Sequence, residues 1–167
     1  MDTISITKEE EERFLELQLL ALDYARNNEV EVLKSMLEAG LNINLQDEKG
    51  NTLLMLATYN GNFETSKLLL EFGAEVDKRN DRGQTPLGGV AFKGNLDIIK
   101  LLLKYDADID ADNGGGKTPL MFAAMFGHKE IVEFFIDKGA DITKQTFMGL
   151  SAYRLATITG GIKKIFL

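Results

Sequence analysis

The stretch Gly116-Lys117-Thr118-Pro119-Leu120-Met121-Phe122-Ala123-Ala124 decides the fold, because it is one copy of something that recurs. Gly83-Gln84-Thr85-Pro86-Leu87-Gly88-Gly89-Val90-Ala91 lies one period earlier, and Gly50-Asn51-Thr52-Leu53-Leu54-Met55-Leu56-Ala57-Thr58 one period before that. A worn copy, Gly149-Leu150-Ser151-Ala152-Tyr153-Arg154-Leu155-Ala156-Thr157, follows. The leading glycines fall at 50, 83, 116 and 149, a step of 33 residues. A fixed period of this size marks a stacked array, in which each unit buries its apolar face against its neighbours. Other positions keep the same register. Gly61, Gly94, Gly127 and Gly160 do, and so do Lys67-Leu68-Leu69-Leu70, Lys100-Leu101-Leu102-Leu103 and Glu133-Phe134-Phe135-Ile136. So do Gly73-Ala74-Glu75-Val76-Asp77, Asp106-Ala107-Asp108-Ile109-Asp110 and Gly139-Ala140-Asp141-Ile142-Thr143, with Leu37-Glu38-Ala39-Gly40-Leu41-Asn42-Ile43-Asn44 ahead of them.

This pattern resembles the ankyrin repeat, which runs Gly-x-Thr-Pro-Leu-His-x-Ala-Ala, then Gly-His, then a leucine-rich helix, then Gly-Ala-Asp-Val-Asn. The resemblance covers roughly residues 14–162. It implies an all-α solenoid of stacked helix–turn–helix units joined by β-hairpin-like finger loops. The register divides one domain, 1–167, into a capping helix with first repeat (1–50), three full repeats (51–83, 84–116, 117–149) and a partial C-terminal capping repeat (150–167). The motif histidine is absent: Met55, Gly88, Met121 and Arg154 stand in its place. The loop-bracing hydrogen bond of that histidine is therefore expected to be missing throughout. Leu53 and Ala152 replace the proline.

Local chemistry agrees with the register. Thr7-Lys8-Glu9-Glu10 reads as a capping box, with Glu9 to Glu12 in a first turn where the helix dipole favours negative charge. The helix it opens should reach about Arg26, and Glu9–Glu12 with Glu16 should give the stack a polar outer end. Thr118 should cap an inner helix with Pro119 at its first position. Lys129–Lys138 should form the outer helix, and Gly139 the left-handed residue that ends it. Asp106 takes that glycine's place one repeat earlier, where left-handed geometry costs more. Gly88-Gly89 falls inside an inner helix at about 1 kcal/mol per glycine relative to alanine. The unit holding these features is expected to be the softest. At the far end, Ile162, Ile165 and Phe166 are expected to form an abbreviated cap unless the chain is truncated there.

Composition excludes several function classes. At 44% apolar residues the chain can form a core, and no apolar run approaches the roughly 18 residues of a membrane span. The first residues, Met1 to Lys8, lack the basic start and apolar stretch of a signal peptide. Without cysteine there is no disulfide framework and no thiolate metal site, which fits a cytoplasmic protein. Residues 1–50 hold twelve acidic and five basic residues, so the whole net charge of −7 lies there and residues 51–167 balance. No basic stripe of the kind a phosphate backbone requires is present, so nucleic acid is not an expected partner.

Three tempting motifs dissolve into the register. Gly116-Lys117-Thr118 mimics the end of a phosphate-binding loop, but position 111 is alanine where glycine is needed, and Lys117-Thr118 aligns with Asn51-Thr52 and Gln84-Thr85. Asp106, Asp108, Asp110 and Asp112 alternate like a calcium loop, yet no starting point places both the sixth-position glycine and the twelfth-position glutamate. His128, the only histidine, follows Gly127 where the repeat pattern often has one, and is expected to cap structurally. A lone histidine without cysteine builds no zinc site and gives general-base chemistry no seat. No catalytic residue, metal or cofactor is expected.

The resemblance implies a non-enzymatic, monomeric module that binds a protein or peptide on its concave surface. That surface comprises the fingertips and the outward face of the inner helices. The tips are Glu48-Lys49, Asp81-Arg82, Gly114-Gly115 and Phe147-Met148. Leu56, Tyr59, Phe92, Phe122, Met125 and Phe126 occupy the helix columns of that face, where polar residues are usual, with Arg82 and Lys93 beside them. Aromatics and methionine are over-represented at interfaces, so these eight are the expected partner-binding residues. Some small ankyrin proteins serve a client enzyme, for example catalase or a haem-related one, and that accessory role is the alternative.

Overall fold

The computed structural model describes residues 7–159 of the 167. The C-terminal residues Ile162, Ile165 and Phe166, and most of the Met1–Lys8 segment, lie outside that range. Among the described residues there are nine helices and no strand longer than an isolated bridge. The inner helices are α1 (Lys8–Asn27), α3 (Leu53–Tyr59), α5 (Pro86–Lys93), α7 (Pro119–Met125) and α9 (Ala152–Thr159). The outer ones are α2 (Val30–Glu38), α4 (Phe63–Glu71), α6 (Leu96–Lys104) and α8 (Lys129–Asp137). Each inner helix packs on the next, each outer helix packs on the inner helix of its own repeat, and α2, α4 and α6 also meet in series. None of these helices is long and apolar enough to cross a membrane.

The inner helices start where threonine says they should. The hydroxyls of Thr52, Thr85 and Thr118 accept hydrogen bonds from the backbone N–H groups of Met55, Gly88 and Met121, satisfying donors the first turn leaves without a partner. The Thr7–Glu10 capping box of α1 is formed in both directions, at 3.3 Å from the Glu10 N–H to Thr7 Oγ1 and 2.8 Å from the Thr7 N–H to Glu10 Oε2. The outer helices supply the leucine-rich layer. Leu69, Leu102 and Phe135 share one register position and are fully buried, as is Leu33 in the first outer helix.

The fingers are closed within themselves by backbone hydrogen bonds such as Asp47 N–H to Asn51 O, Asn80 N–H to Gln84 O and Asn113 N–H to Lys117 O, and they are also pinned to each other. Among the described residues this pairing amounts to bridges only at Gln46–Thr52 and Gln145–Ser151. Side chains at one register position join each finger to the next. Asn44 accepts from the Glu75 N–H, Asp77 from the Asp108 N–H and Asp110 from the Asp141 N–H. Three of the four aspartates that imitated a calcium loop are thus occupied by the backbone: besides Asp110, Asp108 accepts from the Asp110 N–H and Asp112 from Gly114 and Gly116, while Asp106 ends α6 at φ 62. No cluster of three or more carboxylates or imidazoles suited to a metal ion occurs among the described residues.

One expectation needs correction. The acidic side chains at the start of α1 are exposed, but so are Phe14, Leu15, Leu17, Leu19 and Leu20, at 44–62%. The outer end of the stack is therefore not simply polar. The cause is length. At 20 residues α1 spans about 30 Å against about 10 Å for the seven-residue α3, so its first half projects beyond the helices that could cover it.

Two predictions follow from these finger and cap contacts. Asp106 is a left-handed residue with no compensating side-chain hydrogen bond, so Asp106→Gly is expected to stabilise the fold by up to about 1 kcal/mol in urea melts. Asp77 has one carboxylate oxygen, Oδ1, buried without a partner. Burial holds this carboxyl above its ordinary value, the Asp108 charge adds to the effect, and the hydrogen bond from the Asp108 N–H offsets only part of it. A raised carboxyl pKa means the folded state holds the proton more tightly. The contribution of Asp77 to stability is thus greatest below the ordinary carboxylate value and is lost as pH rises through the folded value. Asn44, its register equivalent, donates Nδ2 to Glu75 at 2.9 Å, which shows what an amide does at this position. Asp77→Asn should therefore raise the urea midpoint at neutral pH, and its advantage over wild type should shrink as the solution is acidified. A pH-independent difference, or a less stable variant, would contradict this.

Candidate partner-binding surface

The concave face is built around the inner-helix ends and the first two fingers. A cleft of about 390 Å³ opens there, between the tips bearing Lys49 and Arg82 and a wall made by Leu56, Tyr59, Phe92 and Phe122. Its floor is Gly88 and Gly89, with Asn51, Asn80, Gln84 and Thr85 along one side. Five of the eight expected residues, Leu56, Tyr59, Phe92, Phe122 and Arg82, meet at this cleft. Met125, Phe126 and Lys93 lie outside it, but two of them touch its wall. The rings of Phe92 and Phe126 meet edge-on at 4.3 Å, and Lys93 Nζ sits 5.0 Å above the Tyr59 ring. Tyr59 stacks nearly parallel on Phe92 at 6.3 Å. The continuous aromatic strip is therefore Tyr59–Phe92–Phe126, which crosses from one helix column to the next, rather than Tyr59–Phe92–Met125.

The expected residues differ in how they could meet a partner. Tyr59 and Phe126 are exposed, at 45% and 50%. Phe92 and Met125 are half-buried against the core. Leu56 and Phe122 are buried, at 8% and 9%, and belong to the core itself. Both line the cleft, but they are packed into the core, so little of their surface is open to it. They shape it more than they offer area to a ligand.

The cleft owes its existence to an exchange between two repeats. Met55 and Met121 occupy the register position of Gly88 and are buried. At Gly88 the space is filled from elsewhere: a Cβ built on it would overlap the Asn113 carboxamide. Asn113 is 3% exposed. Its Oδ1 accepts from the Thr85 N–H at 2.8 Å and the Thr85 hydroxyl at 3.0 Å, and its Nδ2 donates to the Ala111 carbonyl. A hydrogen bond that braces finger to helix therefore exists in this repeat without the motif histidine, supplied by Asn113 from the finger.

Turning Asn113 inward changes the third finger. Asp47 and Asn80, at the same register, use their side chains to accept two backbone N–H groups each and so close their own fingertips. Burial works against the charge on Asp47, but hydrogen bonds from Asn51 and the Lys49 N–H, with the Arg26 charge, outweigh it and hold that carboxyl below its ordinary value. In the third finger Asn113 is unavailable, so Asp112 takes the role one residue early. Gly114, Gly115 and Gly116 all adopt positive φ, at 94°, 71° and 77°, a run that side-chain-bearing residues rarely adopt.

His128 also has a definite task. It does not cap its own helix. Its Nε2 lies 2.9 Å from the Phe92 carbonyl, which can only accept, so that nitrogen carries the proton. The imidazole thus caps the end of α5 and holds Phe92 in the strip. Asn62 does the same two repeats earlier, donating to the carbonyls of Ala25 and Arg26.

The residues that sequence reasoning left out of the site are chiefly Gly88, Gly89 and Lys49. The sequence carries a signal for each, in the diglycine and in the fingertip positions. Propensity marked the glycines as a weakness, when what matters is the volume they leave open.

A family model for ankyrin repeats, three copies long, matches residues 21–113 and 73–146. No curated protein matches the chain. Gly88 and Gly89 are predicted to respond oppositely to alanine. At Gly89 a Cβ would meet only Tyr59 Cδ2, at an ordinary 3.5 Å, so Gly89→Ala should gain about 1 kcal/mol from helix propensity. Gly88→Ala expels Asn113 and leaves buried groups unpaired, at a cost of about 1–3 kcal/mol in thermal or urea melts. Equal effects at the two positions would rule out the exchange described above. With the 33-residue register, the capped inner helices and a model matching most of its length, the chain belongs to the ankyrin repeat family.

Proposed function

We propose that the chain is a non-catalytic binding module that holds a protein or peptide partner on its concave inner-helix and finger surface. Ankyrin repeats are in general protein-interaction modules, and the observation that carries the reading for this chain is the strip Tyr59–Phe92–Phe126. Two of its three rings are about half exposed beside a cleft, on a face where the core does not need them. Aromatic groups with one face open and one face packed lose little conformational freedom on binding, which is why they concentrate interface energy. Lys93, held over Tyr59, and Arg82 form a polar rim that affects orientation and rate more than affinity. The geometry offers a partner about two helix spacings of apolar surface, on the order of 20 Å, enough for an extended segment or one helix.

The test separates surface from core. Tyr59→Ala and Phe126→Ala should melt near wild type and lose the partner, each by about 2 kcal/mol or more of binding. Leu102→Ala, at a fully buried position, should cost about 2–5 kcal/mol of stability. Phe92→Ala is the sharpest case because Phe92 is half-buried. If it melts as early as Leu102→Ala, the strip belongs to the core and the concave reading fails.

A further inference from the structure

We infer that the cleft above Gly89 takes an apolar side chain of a partner polypeptide that carries a carboxylate beside it. This rests on the reading of the concave face as a peptide-binding surface, and it names the chemistry that face selects. Gly89 shares a register column with Leu56 and Phe122, so one side chain is missing between two apolar ones. The space above it is open, since an added Cβ would touch Tyr59 alone. At about 390 Å³ the hollow lies at the small end of the ~300–1,000 Å³ range of ligand clefts, a size for one large side chain rather than for a folded surface.

Charge identifies the rest of the occupant. The chain carries 26 acidic and 19 basic residues, yet the only ionisable side chains of Asp, Glu, Lys or Arg lining the cleft are Lys49 and Arg82. The acidic residues next to them in sequence, Glu48 and Asp81, do not line it. Neither cation makes an ion pair or a side-chain hydrogen bond among the described residues. Arg26, by contrast, is held by Asp23 at 2.7 Å and Asp47 at 3.2 Å. Lys93 adds a third positive charge at the opposite edge, over Tyr59. A hollow with an apolar wall, a neutral polar side and no charges but cations, in an acidic protein, is complementary to an apolar group with an anion next to it. The cleft wall continues into the Phe92–Phe126 contact, so an occupant can run on along the strip, as a polypeptide does and a small carboxylic acid does not. The apolar anchor supplies most of the affinity, while the exposed charges supply selectivity that fades as salt screens them.

The test uses the full chain as bait for a phage-displayed library of short random peptides. Enriched sequences are expected to carry an aromatic or large aliphatic residue within a residue or two of Asp or Glu. A synthetic copy with those acids changed to Asn or Gln should bind about threefold to tenfold more weakly at low salt, and the difference should shrink at high salt. Arg82→Glu should remove the preference for the acidic copy, and Gly89→Leu, which fills the hollow within a helix that leucine favours, should lose both copies while melting no earlier than wild type. Leu15→Ser, on the exposed stripe of α1, should leave binding unchanged. Equal binding of the acidic and amide copies, or an unchanged preference in Arg82→Glu, overturns the inference while leaving the concave reading intact, provided Tyr59→Ala still loses the peptides. Peptides that bind Tyr59→Ala and Gly89→Leu as well as wild type, or that depend on Leu15, overturn both, and a library with no enrichment overturns the inference.

Discussion

Everything in this molecule depends on how closely successive inner helices approach one another. Ala25, Ala57, Ala91, Ala123, Ala124 and Ala156 are fully buried at the inner-helix layer, where a larger side chain would push the repeats apart. The outer layer meets through leucine, isoleucine and phenylalanine instead, and successive outer helices touch more sparingly. Small residues inside and large ones outside bend the stack towards its inner helices. That bend creates the concave face, and it brings residues one period apart into contact. Tyr59 and Phe92 stack because they are 33 positions apart, and for no reason local to either. Stability and binding surface thus come from the same translation along the array.

The third repeat shows how such an array acquires a site without losing that translation. A buried methionine in each neighbouring repeat is replaced by Gly88, and the Asn113 side chain enters from the following finger to satisfy Thr85. The third fingertip then needs a new acceptor, Asp112, and a run of glycines to close. Gly88, Asn113, Asp112 and Gly114–Gly116 therefore act as one device. Its outcome is a hydrogen-bonded floor beside an open hollow at Gly89, in the middle of the aromatic strip. Features that look like separate local defects are coupled across about 28 positions of sequence.

What the residues disclosed in advance were the features set by local chemistry and period. Thr52, Thr85 and Thr118 announce their helices because an N-cap is a contact within one turn. Asp106 announces a left-handed cap because its equivalents are glycines. The palm columns follow from counting. Contacts across repeats were not legible. Counting places Leu56 and Phe122 on the concave face, but it cannot show that both are almost wholly buried in the core. Nor does helix propensity reveal that Gly88 is occupied from outside while Gly89 is open. The length of α1 was readable, but its exposed apolar first half was not, because that depends on where the next inner helix ends.

Whether a partner lies on the concave face is measured most directly by an amide chemical-shift map of the isotope-labelled chain titrated with a peptide it binds. Shifts should gather in residues 51–60, 82–93 and 118–126, with the Phe92 and Thr85 amides among the most affected, and α4, α6 and α8 should stay silent. Shifts concentrated on those outer helices, or on the first half of α1, with the palm unmoved, would contradict the reading of this face as the place where the chain works.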